Sequence, residues 1–432
     1  MSTGHPPAVE RHASMSRHAW GVLLVLCAVI FLEGLDVSMM GVTLPAIQSE
    51  LGMSVGSLQW VMSAYVLGYG GFTMLGGRAA DLLGRRRMFL FWLGVFLVFS
   101  GLGGLATEGW VLILARFVTG VSAGFLTPAG LSIITTGFPE GRERNRALLV
   151  YAGTAAAGFS LGLVVGGLLT EIDWRWVFFA PVLLASGVMV AAIRLIPHDD
   201  APARATSTFD LGGAMTLTAA MLLFVFSVVE ATEVRWEQSA GTLIISAALL
   251  AAFVTIERRS AAPLIRLGIL RSRTLVRVNL SAMLFIGSFS GFQFIAVQYL
   301  QNVRGWSAIE TGLALLVAGI DAILAPTLTP RLVNRFGVAR VILAGALIGA
   351  AGYALFLPID LDSPYATAMF PTMILTGIAF ALTYGPLTIA ATDGIAGAEQ
   401  GLASGLLNTS IQFGTALGIA VMTAVHIAAL GS

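Results

Sequence analysis

Of 432 residues, 57% are hydrophobic and only 11% charged, with a mean hydropathy of +0.87, a profile that excludes a water-soluble fold of this length. A net charge of +1 gives no basis for a nucleic-acid partner, so only the placement of charge is informative. The one cysteine, Cys27, excludes an intrachain disulfide and a cysteine metal site.

The expectation is an all-α polytopic membrane protein. Residues 1–18 form a polar tail whose histidines, His5, His12 and His18, share no helical register that would gather them on a metal. The apolar run that follows is too long for a signal peptide and lacks a small-residue cleavage site, so it reads as a retained span. Within it, Phe31-Leu-Glu-Gly-Leu-Asp-Val-Ser-Met-Met-Gly-Val-Thr-Leu-Pro45 carries Glu33 and Asp36. An acid at mid-helix costs about 3 kcal/mol on insertion, so a chain that keeps two gains something by charging or neutralising them. Three residues apart, they leave one face of the helix and can line a cavity together. We read them as a proton site; the alternative is that they only hold neighbouring helices.

At about 20 residues per crossing, the apolar runs give thirteen spans, near 19–46, 57–78, 88–106, 110–135, 147–170, 176–196, 209–230, 240–257, 275–300, 308–330, 338–358, 366–391 and 401–430. With the N-terminus in the cytoplasm, the inner segments hold twenty of the 24 arginines and the outer loops only Arg175, Arg235 and Arg304. Arg116 lies inside a span. That asymmetry obeys the positive-inside rule, and Trp60, Trp110, Trp174, Trp176, Trp236 and Trp306 fall at outer helix ends, as an interfacial aromatic belt should.

The chain also repeats itself. Arg78-Ala-Ala-Asp81-Leu-Leu-Gly84 with Arg87 matches Arg331-Leu-Val-Asn334-Arg-Phe-Gly337 with Arg340; Leu126-Thr127 and Leu131-Ser132-Ile133 match Leu382-Thr383 and Leu387-Thr388-Ile389; Gly158 and Gly162 match Gly414 and Gly418. The shared offset predicts two parallel-repeat bundles with a two-helix insertion between them. The expected organisation is a cytoplasmic tail (1–18), a six-helix bundle (19–196), a linker with two inserted helices (197–274) and a second bundle (275–432). The counterpart of the sixth helix would begin where the sequence stops, so the second bundle shows five core helices, through truncation or true absence of a fourteenth.

The stretch Gly77-Arg-Ala-Ala-Asp81-Leu-Leu-Gly84-Arg85-Arg86-Arg87 resembles the signature loop of the major facilitator superfamily. Leu35-Asp-Val-Ser-Met-Met-Gly-Val-Thr-Leu-Pro45, Trp60-Val-Met-Ser-Ala-Tyr65 and Gly401-Leu-Ala-Ser-Gly-Leu-Leu-Asn408 resemble its fourteen-helix drug:proton antiporter branch. The resemblance implies alternating access, with small organic molecules exported in exchange for protons. Asn334 stands in the acid position of the second loop, Leu82 replaces a frequent arginine, and Leu163 stands where the antiporter motif usually has proline.

In the first loop, Gly77, Arg78, Asp81, Gly84, Arg85 and Arg86 are expected to form an inner gate. Asp81 would accept from neighbouring arginines and face a helix N-terminus; the arginines also set topology. Arg116 matches the superfamily's buried arginine. At 1.5 Å per residue it lies about 9 Å below the outer surface against about 15 Å for Asp36, compatible with contact, so Arg116 would pair with Asp36 or Glu33 and tune the acid, or form a permanent structural pair. Asp321 is the intramembrane acid of the second half, read as a cation or proton site or as a structural partner. Gln293, Gln298, Asn408 and Gln412 would line the substrate cavity or bond helices, and Gly158, Gly162, Gly166 and Gly167 would pack one helix closely on another.

No Ser-His-Asp set, P-loop or dinucleotide fingerprint appears, so the chain does not read as an enzyme and needs no cofactor. The driving force is the proton motive force, about 2.3 kcal/mol per proton at 100 mV. The expected function is proton-coupled efflux of lipophilic drugs or secondary metabolites by a monomer in the bacterial cytoplasmic membrane. Proton-coupled metabolite uptake, for which Leu163 leaves room, and a non-transporting sensor or scaffold are the alternatives.

Overall fold

A computed structural model describes residues 16–53, 55–198, 211–229, 236–260, 267–306, 308–359, 363–396 and 399–430, and all regular structure among them is helical. Most of the tail 1–18, part of the 197–274 linker, Arg235 and the sequence's last two residues lie outside the described residues, as do the side chains of Gln298 and Trp236. Six helices form a first lobe: α1 (Arg17–Leu51), α2 (Val55–Leu83), α3 (Arg85–Gly104), α4 (Gly109–Gly137), α5 (Arg142–Ile172) and α6 (Trp176–Leu195). Then come α7 (Leu211–Val229) and α8 (Trp236–Arg259). The second lobe has α9 (Arg273–Gln298), α10 (Ala308–Leu316), α11 (Asp321–Thr327), α12 (Thr329–Phe336), α13 (Val338–Phe356), α14 (Phe370–Thr392) and α15 (Gln400–Leu430). Among the described residues, ten helices are long and apolar enough to cross a membrane; α2, α7 and α15 are not among the ten.

Local sequence explains the helix ends. Ser16 caps α1 by accepting from the Ala19 amide at 3.1 Å, and Gly52, with φ 60°, stops it. The signature-loop glycine is needed for its backbone: Gly84 has φ 100° where the chain turns from α2 into α3, and Gly337 has φ 83° at the corresponding turn into α13. The predicted span 308–330 is broken. A 3-10 segment, Val317–Ile320, interrupts it before Asp321, and α11 contains Pro326.

In a bilayer, helices associate through close packing, so small residues mark the contacts. A Cβ at Gly158 would run into the Phe31 carbonyl of α1, one at Gly162 into Ser38 Oγ, and one at Gly166 would stand 2.8 Å from Met39 Cα. Those three pin α5 against α1. Gly167 faces the other way, toward Ile309 of α10. The same joint recurs in the second lobe, where Gly414 and Gly418 of α15 meet the Met283 and Gly287 carbonyls of α9. Likewise Gly120 of α4 meets the Tyr65 carbonyl of α2, and Gly377 of α14 meets that of Ala318. The repeat is therefore a repeat of helix contacts as well as of letters.

Gly158→Ala forces backbone against side chain at the first of these joints, and overpacking of this kind costs about 1–3 kcal/mol. Its thermal unfolding in detergent should fall well below that of Gly187→Ala, a site with nothing within 4 Å of the new methyl.

Helix α7 lies against both lobes. Its Phe226 stacks on Trp60 of α2 with ring centres 5.8 Å apart, and its Phe224 packs on Phe413 of α15 at 4.4 Å. It is fastened to α8 by Ser227–Thr242 at 2.6 Å and by Ser246 donating to the Ala220 carbonyl at 2.7 Å.

One expectation about tryptophan needs correcting. Trp110 and Trp176 are exposed, 63% and 42%, as interfacial rings should be, but Trp174 is buried. Its indole donates to Glu50, 2.7 Å away, and Arg175 also binds that carboxylate and holds it below the usual carboxylate range. The ring packs in the apolar core of the first lobe while its indole N–H reaches a half-exposed carboxylate at the end of α1.

Candidate functional site

Asp36 is 0% exposed and Arg116 1%, and Arg116 Nη1 donates to Asp36 Oδ2 at 2.5 Å. Of the two acids considered for it, Arg116 takes Asp36. Its Nε donates to the Val61 carbonyl at 3.3 Å, and the guanidinium lies 4.4 Å from the centre of the Tyr65 ring. Three helices thus hold one cation: α1 by charge, α2 by a carbonyl and an aromatic face, α4 by the covalent chain. Taking both charges out of water is costly, and a single hydrogen bond between them plus these supports offsets it.

Glu33 makes no such pair. It is 4% exposed, and Thr127 of α4 donates to its Oε2 at 2.6 Å while Oε1 has no hydrogen bond. Thr127 in turn is bonded to the Tyr69 hydroxyl at 2.8 Å. The two acids share a helix face, as their spacing predicted, yet end in different surroundings.

Beside Thr127 is a cavity of about 10 Å³, lined by Thr127, Leu131, Tyr151, Tyr384, Thr388, Leu407, Asn408 and Ile411. Its walls come from α4 and α5 of one lobe and α14 and α15 of the other. Drug-sized pockets run to roughly 300–1,000 Å³, so this space is too small to hold such a molecule as it stands. Of the proposed cavity residues whose side chains are described, only Asn408 lines this space. Asp321 is 3% exposed at the start of α11 and bonds its own helix's backbone at Ala322. Gln293 and Gln412 are partly buried elsewhere.

At the arginine-rich end, Asp81 joins the lobes. Its Oδ1 accepts from the Gly401 amide at 3.2 Å and its Oδ2 from the Leu402 amide at 3.1 Å, both in the first turn of α15. Arg85 Nη2 lies 3.2 Å from Oδ1 and its Nε donates to Ser132 at 2.6 Å; Arg86 donates to the Ile193 carbonyl at 2.8 Å. Gly77 lets α2 approach α15, since a Cβ there would strike the Gly401 carbonyl. Arg78 is half-buried on the same turn.

One carboxylate contact thus joins the lobes at one end, and an ion pair is buried at mid-helix. The sequence pattern of the Major Facilitator Superfamily matches residues 26–419. The chain belongs to the Major Facilitator Superfamily. It is therefore a multi-pass membrane transporter and not an enzyme. The puromycin resistance protein of Streptomyces alboniger is 36% identical over 95% of this chain and 82% of its own length. The lincomycin resistance protein of Streptomyces lincolnensis is 35% identical over 96% and 85%. Among solved structures, the proton:xylose symporter XylE superimposes with a TM-score of 0.67 at 15% identity, covering 95% of this chain and 89% of that one, a likeness of fold. This superfamily transporter is thus related to drug-resistance and export proteins.

Thr127 and Tyr69 carry the site's polar contacts and Tyr151 lines its cavity; none of the three was singled out as a site residue from sequence. Thr127 did stand out in the internal repeat, but that signal did not point to Glu33.

Proposed function

We propose that this protein is a proton-coupled exporter of lipophilic drugs or secondary metabolites across the bacterial cytoplasmic membrane. The observation that carries the reading is the buried Asp36–Arg116 pair, one turn from Glu33 and the cavity shared by both lobes. Protonating Asp36 weakens its bond to Arg116, frees α1 from α4 and so couples proton uptake to the relative tilt of the lobes. Asp81 latches the arginine-rich end while the opposite end loads or releases. The export direction is supported by relatives named for resistance to puromycin and lincomycin and for cephamycin export.

In this reading the chain has thirteen spans with the N-terminus in the cytoplasm, α7 and α8 inserted between bundles at 19–196 and 275–432. The arginine asymmetry supports that orientation.

Inside-out membrane vesicles test it. When the lumen is made acidic, so that protons leave down their gradient, vesicles carrying the protein should accumulate a lipophilic dye, and an uncoupler should abolish the accumulation. Dye movement that ignores the uncoupler removes proton coupling; depletion of solute instead of accumulation reverses the direction to uptake.

A further inference from the structure

We propose that the exposed face of α9 formed by Arg273, Arg277, Leu280 and Leu284, together with Arg271 just before it, binds an anionic phospholipid, whose phosphate meets the arginines and whose acyl chains lie along the leucines.

Helical geometry gathers these residues. At about 100° per residue, Arg273, Arg277, Leu280 and Leu284 fall within about 60° of one another around α9, and all four are exposed. Arg271 closes the 3-10 turn Leu267–Arg271 that leads into the helix, and it is exposed too. Positive charge thus gives way to lipid-facing hydrocarbon along a single stripe, the order in which a phospholipid presents its own phosphate and tails. Helix α9 runs alongside α15, with Ser410 donating to Asn279 Oδ1 at 2.9 Å and with Gly414 and Gly418 against Met283 and Gly287. The first turn of α15 holds Asp81, so these arginines stand at the same arginine-rich end of the molecule.

Their charges are uncompensated within the described residues. Arg273 is on the first turn of α9, where the helix dipole opposes positive charge and no acidic residue offsets it. Arg277, four residues on, adds a like charge to the same face. Three other arginines near helix starts have partners in the protein: Arg85 binds Asp81, Arg144 binds Glu140, and Arg146 lies 5.2 Å from the centre of the Trp20 ring. Among the described residues no ion pair engages Arg271, Arg273 or Arg277. An anionic headgroup supplies that counter-charge, and a guanidinium can hold a phosphate through two parallel hydrogen bonds. A free phosphate would satisfy the arginines and leave the leucines unused, so the whole stripe fits a lipid.

Thermal unfolding of the purified full chain in detergent gives the test, with added phosphatidylglycerol, zwitterionic phosphatidylcholine or soluble glycerol phosphate. Phosphatidylglycerol should stabilise the wild type and the other two should not. The double variant Arg273→Gln with Arg277→Gln should need roughly tenfold more phosphatidylglycerol, or beyond, for the same shift. Arg335→Gln with Arg340→Gln removes two exposed arginines of the α12–α13 turn and should keep the wild-type response. An equal response to phosphatidylcholine or glycerol phosphate, no loss in the α9 variant, or equal loss in both double variants overturns the proposal. If the α9 variant does not fold, the wild type decides: phosphatidylglycerol carrying a diazirine in its acyl chain should crosslink to the α9 segment that holds Leu280 and Leu284, read by mass spectrometry. Excess unlabelled phosphatidylglycerol should suppress that labelling and phosphatidylcholine should not. Labelling that falls elsewhere, or that both lipids suppress equally, also overturns it.

Discussion

Asp81→Asn is expected to abolish most transport while the protein still reaches the membrane. The side chain serves three donors: the Gly401 amide and Arg85 at Oδ1, and the Leu402 amide at Oδ2. An amide in its place must turn its NH2 toward at least one of them, donor against donor, and it loses the charge that the α15 N-terminus favours. Hydrogen bonds to a charged group contribute about 1.5–3 kcal/mol each, so losing even one shifts a two-state balance between lobe arrangements by roughly tenfold or more. Efflux rate per molecule in the membrane fraction is the measurement. Glu140→Gln is the comparison, since it breaks only the exposed Arg144–Glu140 pair and should leave the rate near wild type. Wild-type efflux from Asp81→Asn would show that the contact between α2 and α15 does not govern the cycle.

The second large effect falls on Arg116. Arg116→Ala leaves Asp36 buried with one hydrogen-bond partner removed and its other oxygen already unpaired. Stranding one member of a buried pair costs about 3–5 kcal/mol, whereas removing both charges costs far less. We expect Arg116→Ala to melt well below wild type and the double variant Asp36→Asn with Arg116→Ala to recover much of that stability. Neither should drive uphill efflux. In the single variant the pH dependence of whatever efflux remains should flatten, because the fixed charge that distinguishes the two protonation states of Asp36 is gone. A pH profile superimposable on wild type would reduce the pair to a structural tie.

Much of this was legible before any fold was known. Mid-helix acids are so unfavourable in lipid that Glu33 and Asp36 announce a polar interior, and helical rise alone brought Arg116 within reach of Asp36. Which acid Arg116 would choose was not legible. Positions three apart on α1 differ by 60° around the axis, and only the way α4 crosses α1 decides that Asp36 meets the arginine and Glu33 meets Thr127. The glycines behaved similarly: spacing showed a close-packed face on α5, while the partner, α1, and the outward turn of Gly167 toward α10 depended on neighbours.

The cavity was hardest to anticipate. Asn408 was among the polar residues proposed for it, but Thr127, Tyr151 and Tyr384 come from three helices in two lobes. Hydroxyls inside apolar helices usually bond their own backbone, as Thr43, Thr154 and Thr388 do here, so composition gave no reason to separate Thr127 from them. Trp174 went the other way, buried in the apolar core with its indole N–H bonded to the half-exposed Glu50.

Hydrophobicity, arginine placement and the recurring motif by themselves determined that this chain crosses a membrane as two related halves, because burial of apolar length and the cost of charge in lipid act segment by segment. Pairing Arg116 with Asp36, leaving Glu33 to a threonine, and setting tyrosines from both lobes beside it were decided only in three dimensions, because those contacts join helices that the sequence separates by 80 residues or more.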